Sequence, residues 1–139
     1  MPLTKNHKID LLARVPLFAG CTKAELIEVA LSTDEREARA GDILTKQGER
    51  GREFFILVEG AVAVGRNGRN VAELGPGDWF GEIAILTFKA RTATVTAASP
   101  VRLLVISDRA FRSVVEATPR IALKVLRSVA ERLEHDARS

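Results

Sequence analysis

The chain has little of what most catalytic and secreted proteins rely on. It carries one cysteine (Cys21), two histidines (His7 and His135), one tryptophan (Trp79) and no tyrosine. A single cysteine closes no internal disulfide, which fits a reducing compartment and excludes a disulfide-stapled scaffold. Both histidines stand near the termini, so neither a cupin-like metal set nor a catalytic histidine is expected. There is no glycine-rich P-loop with its lysine and no nucleophile elbow. No apolar run approaches the ~18 residues of a membrane span, and the first ten residues lack the apolar centre of a signal peptide. These absences predict a cytoplasmic protein that is not an enzyme, holds no metal and has no membrane segment.

What is present is ordinary in amount and telling in arrangement. The 139 residues, 46% of them hydrophobic, suffice for one core and one domain over 1–139. Twenty-one basic residues are interspersed with 18 acidic ones, a net charge of +3. That mixture reads as a solvated surface and not as a nucleic-acid footprint, with a mild preference for anionic ligands.

The most informative stretch is Phe80-Gly81-Glu82-Ile83-Ala84-Ile85-Leu86, followed after a four-residue spacer by Arg91-Thr92-Ala93-Thr94-Val95. It sets one acid and one base in an apolar segment, where a charge is costly without a partner. Gly81 lets the backbone approach a bound group, and a turn of helix after it would aim free N–H groups at an anion. Arg91 offers a planar fork of donors to a phosphate, and Glu82 accepts from hydroxyls, so the pair suits a ligand with one ribose and one phosphate. The plain alternative is that Glu82 and Arg91 pair with each other in the core.

These two motifs resemble the phosphate-binding cassette of the cyclic nucleotide-binding domain, the sensor module of catabolite-activator-type regulators, cyclic-nucleotide-dependent kinases and cyclic-nucleotide-gated channels. The similarity runs from about Leu17 to the last helix. It implies that Glu82 holds the ribose 2′-hydroxyl, that Arg91 holds the cyclic phosphate, and that Gly81, Ile83 and Ala84 supply backbone amides, with Thr92 and Ala93 beside the arginine. Ala90 stands where the family often has proline. The run Gln47-Gly48-Glu49-Arg50-Gly51 before Phe54-Phe55 is similar to the family's glycine-bearing turn, and Gly48 and Gly51 are expected to be architecture. Arg52 and Glu53 depart from the family's pattern there, which leaves a salt bridge from this turn to Arg91 open. In that family a hydroxyl at the position of Thr92 serves either base and does not choose between them; with no other guanine-selective feature in the chain, the expected ligand is cAMP, with cGMP second.

In chain order, residues 1–33 predict helices: apolar spacing from Ile9 to Val15 ended by Pro16, then a capping box of Thr22 and Glu25 opening a second helix. From 34 to 107 the period becomes strand-like, with runs at 35–39, 43–46, 53–59, 61–66, 70–74, 93–97 and 101–107 separated by glycine turns. Asn67-Gly68 is a hairpin signal. The class is α+β, mainly β, an eight-stranded antiparallel jelly-roll barrel flanked by helices. Trp79 and Phe88 are the aromatics next to the cassette, Trp79 read as packing and Phe88 as a cover for the ligand or a cap on the barrel.

Residues 108–139 predict a short helix to Glu116 and then, from Thr118-Pro119, a helix of roughly five turns. Its apolar seam Ala122, Leu126, Val129, Leu133 suits a lid over the barrel mouth or a coiled-coil homodimer. By resemblance this helix closes over the base, with Leu126, Val129 and Leu133 as its hydrophobic cap. Arg120, Lys124 and Arg127 are expected to be solvated. If the chain is complete it is a sensor without an output domain, signalling to a downstream effector. The competing reading is a structural or dimerisation domain of the same fold that binds nothing; a metal-dependent enzyme on a cupin-like barrel is the remaining one.

Overall fold

A computed structural model describes residues 3–138, except the side chains of Leu133 and of 135–138. The N-terminal helices are α1 (Lys5–Ala13), a 3-10 turn (Pro16–Phe18) and α2 (Lys23–Leu31). Thr22 caps α2 as its sequence predicts: its hydroxyl accepts from Glu25 N at 3.2 Å while Glu25 accepts from Thr22 N at 2.8 Å.

Eight antiparallel strands follow: β1 (Thr33–Ala38), β2 (Ile43–Thr45), β3 (Glu53–Glu59), β4 (Val62–Arg66), β5 (Arg69–Leu74), β6 (Trp79–Phe80), β7 (Thr94–Ala97) and β8 (Val101–Ser107). They form two sheets, β1-β8-β3-β6 and β2-β7-β4-β5. The jelly roll is therefore an open sandwich and not the closed barrel expected. β6 has two residues and β2 three, too short to carry hydrogen bonds from one sheet around to the other. The β4–β5 hairpin turns at Asn67-Gly68, both with positive φ (53° and 79°), the backbone that a two-residue turn between twisted strands requires.

β3 and β8 lie in the interior of their sheet and are buried on both faces, which is why their sequences are nearly unbroken apolar runs. Phe55, Leu57, Leu103 and Val105 point between the sheets, while Phe54, Ile56, Leu104 and Ile106 point at the helices. The second face is covered by Leu12, Leu17, Phe18 and Val29 from the N-terminal segment. It is also covered by Phe111 of α4 (Asp108–Ala117), stacked on Phe54 at 4.5 Å, and by Ile121 and Val125 of α5 (Pro119–Arg138). Arg120 and Lys124 are not simply solvated. Arg120 Nη1 donates to the carbonyl of Gly20 at 2.8 Å and Lys124 Nζ to those of Pro16 and Ala19 at 2.9 and 2.6 Å, so the first half of α5 is tied to carbonyls in and just after the 3-10 turn.

Candidate functional site

The segment after β6 makes a sharp turn at Gly81, opens α3 (Glu82–Thr87) and ends it at Phe88. Gly81 has φ +100°, and a Cβ there would lie 2.8 Å from both the Glu53 carbonyl and Arg91 Nη1. Conformation and close approach thus both demand glycine.

Arg91 is 9% exposed and held by backbone: Nη1 donates to the carbonyl of Gly81 at 3.0 Å and Nη2 to that of Glu53 at 2.7 Å. Its guanidinium lies 5.8 Å from the Phe55 ring centroid. A short ladder fixes its own backbone, Arg91 N donating to the carbonyl of Glu49 and Gly48 N to that of Arg91. The same ladder sets Gly51 under the side chain, where a Cβ would sit 2.2 Å from Arg91 Nε. The open question about Glu53 resolves in the backbone. Its carboxylate is taken by Arg36 in a two-point bridge of 3.1 and 2.7 Å, and only its carbonyl serves Arg91.

Glu82 is fully buried, and it does not bond to Arg91. Its partners come from α5: Arg132 Nη1 lies 2.9 Å from Oε1 and 3.0 Å from Oε2, and Ser128 Oγ donates to Oε1 at 3.4 Å. Arg132 Nη2 also donates to the carbonyl of Trp79, whose indole N–H donates to Ser128 Oγ at 3.2 Å. Burial pushes the Glu82 carboxyl above its ordinary value, and the charge of Arg132 is the largest influence pulling it back. Burial pushes Arg91 the other way, against the charges of Glu53 and Glu82.

All seven cassette residues singled out from sequence (Gly81, Glu82, Ile83, Ala84, Arg91, Thr92 and Ala93) line one cavity of about 330 Å³. Val64, Val71, Leu74 and Val95 give it an apolar wall, and Ser128, Glu131 and Arg132 close it from α5. An apolar cleft with a few convergent polar groups is the usual form of a small-molecule site. The expected cap is not what the helix presents in this structure. Leu126 is 64% exposed, Val129 packs on the helical core, and the side chain of Leu133 lies outside the described residues. The inward-facing stripe is Ile121 and Val125, both buried, then the half-buried Ser128 and Arg132, one position earlier than the seam 122, 126, 129, 133. Sequence reasoning missed Ser128 and Arg132, although their spacing from Ile121 and Val125 puts all four on one helix face. Phe88 is 70% exposed and lines neither the cavity nor the core.

The cyclic nucleotide-binding domain family matches residues 35–118. The chain is 38% identical over 123 residues to the cyclic nucleotide-gated potassium channel mll3241 of Mesorhizobium japonicum, an alignment covering 88% of this chain and 34% of the channel. It is 40% identical over 109 residues to the cAMP-dependent protein kinase regulatory subunit of Mycosarcoma maydis, covering 72% of this chain and 21% of that protein. The chain thus spans about a third or less of these relatives' length. Among solved structures, cAMP-bound PfPKA-R superposes with a TM-score of 0.88 at 25% identity, covering 94% of this chain and 45% of that one. The catabolite activator protein of Thermus thermophilus gives 0.79 at 27% identity, covering 88% and 60%. With the match taking in most of both sheets and the whole cassette, the chain belongs to the cyclic nucleotide-binding domain family.

Proposed function

We propose that the cavity binds a cyclic nucleotide, cAMP before cGMP, and that the chain works as a cytoplasmic regulatory module that releases its ligand unchanged. One observation carries this reading: a fully buried carboxylate and a buried guanidinium, not bonded to each other, share a single small cavity. Arg91 is the cation for the cyclic phosphate and Glu82 the acceptor for the ribose hydroxyl. The preference for cAMP is supported by the kinase regulatory subunits among the relatives. Binding shifts α5 because the ribose hydroxyl and Arg132 compete for the same carboxylate, so the ligand interacts differently with the two positions of the helix. The outer face of α5, where Leu123 and Leu126 are 65% and 64% exposed, is the surface open to an effector or a second copy.

The alternative is a scaffold of the same fold that binds no nucleotide. The regulatory subunit of a cAMP-independent protein kinase A from Trypanosoma brucei superposes with a TM-score of 0.82, so likeness of fold does not choose between the two. Isothermal titration with cAMP and, separately, cGMP chooses: saturable binding of cAMP is expected, and silence from both leaves the scaffold. Glu82→Gln then tests the ribose contact. The parent should prefer cAMP to its 2′-deoxy analogue by about tenfold, one hydrogen bond to a charged group, and the variant should not.

A further inference from the structure

One exposed patch has no part in the cavity. α3 ends at Phe88, whose backbone is left-handed at φ +59° and whose ring is 70% exposed. That conformation is costly for an aromatic residue, and residues held in it concentrate at functional sites. Leu86 beside it is 37% exposed. Cations surround the pair. The guanidinium of Arg112 lies 4.6 Å from the Phe88 ring centroid. Arg50 pairs with Ala90 across a β-bridge, which sets Arg50 and Lys89 at one side of the spacer. At the other side, Asp108 N donates to the carbonyl of Arg52 at 2.8 Å, bringing Arg52 and Arg109 to the start of α4. Arg112 meets Asp108 at 3.9 Å, whereas Arg50, Arg52, Lys89 and Arg109 join no ion pair among the described residues. Glu49, Glu53 and Asp108 are the acids adjacent in the chain; Glu53 is taken by Arg36, and the other two are too few to neutralise five cations.

We propose that this face docks on an anionic phospholipid surface, with Phe88 and Leu86 entering the headgroup layer and Arg50, Arg52, Lys89, Arg109 and Arg112 meeting lipid phosphates. Peptide recognition works through a groove or a sheet edge, and neither the cassette cavity nor the cleft between α2 and α4 reaches Phe88. An apolar tip ringed by long cationic side chains has instead the form of an interfacial anchor, the stems lying along the apolar layer and the charges at the phosphates.

The test is co-sedimentation of the chain with vesicles of phosphatidylcholine alone and of phosphatidylcholine with about 30 mol% phosphatidylserine. Binding to the anionic vesicles only, falling as salt is raised, is expected. The double variant Arg50→Glu, Lys89→Glu should weaken that binding by at least tenfold, as about 1 kcal/mol per surface cation implies. Phe88→Asn, a residue that tolerates the left-handed backbone, should weaken it several-fold while leaving the salt dependence. Circular dichroism melting run alongside establishes that each variant is folded. Equal sedimentation with both vesicle types, none with either, or folded variants that bind as the parent does would overturn the proposal. So would capture by an immobilised acidic peptide with no binding to vesicles, which would assign the patch to a protein partner.

Discussion

The two ends of the cavity solve the same problem, a buried charge, by opposite means. Arg91 is held by carbonyls of its own wall, that of Gly81 at the turn after β6 and that of Glu53 in β3. Glu82 is held by Ser128 and Arg132, side chains on the last helix 46 and 50 residues away. A charge braced by framework keeps its geometry whether or not a ligand is present. A charge braced by a terminal helix exchanges partners when a ligand offers a better one. In the proposed binding reaction the Arg91 end supplies preorganised affinity and the Glu82 end ligand-dependent movement.

Replacing Arg91 with Ala strikes the framework end and should have the largest effect. On the proposed role of Arg91 as a phosphate clamp, cAMP affinity should fall by about 100-fold in titration calorimetry, with α5 unmoved. Unchanged affinity would remove Arg91 from the site.

Arg132→Ala strikes the other end. It leaves the Glu82 carboxylate buried without its cation, and urea unfolding at pH 7 should show a loss of about 2 kcal/mol, below the range for fully buried pairs because Arg132 is 33% exposed. The pH dependence has a defined sign. Burial raises the folded value of Glu82, so its contribution to stability is complete below the ordinary value of 4.5 and is lost as pH rises through the folded one. Removing Arg132 raises the folded value further, so the variant should lose stability with rising pH more steeply than the parent. Parallel pH profiles for variant and parent would show that Arg132 does not govern this carboxylate.

Gly51→Ala leaves both charges in the chain but displaces one of them. The new Cβ must push on Arg91, and cAMP affinity should fall about tenfold, the size of effect a displaced positioning group produces, while Glu82 and α5 keep their contacts. A parental affinity would mean that Arg91 does not bind from the position observed. Leu126→Ala is the smallest change expected. On the exposed side of α5 it should alter stability by less than about 0.5 kcal/mol and affinity by less than twofold. A tenfold loss of affinity would show that the helix turns this residue into the site on binding.

Much of the fold was legible because its signals are local. The capping box at Thr22, the hairpin at Asn67-Gly68 and the largely apolar strands β3 and β8 each depend on a few neighbouring residues. β6 was not legible, since two residues carry no period. The seam of α5 was read one residue off for a related reason. The helix carries large apolar residues on two faces, Ile121 and Val125 on one and Leu123 and Leu126 on the other, and periodicity gives the spacing of a stripe without saying which stripe is inward.

Local signals in the chain suffice for the order of the helices and longer strands, for the close backbone approach at Gly81 and for one acid and one base in an apolar segment. Backbone preference, side-chain period and the cost of a lone buried charge all act within a few residues. Which groups answer those charges depends on packing between distant elements. The carbonyls that hold Arg91 and the helix face that brings Ser128 and Arg132 to Glu82 are set by how β3 and α5 pack, and packing is a property of the assembled chain that no short window of residues contains.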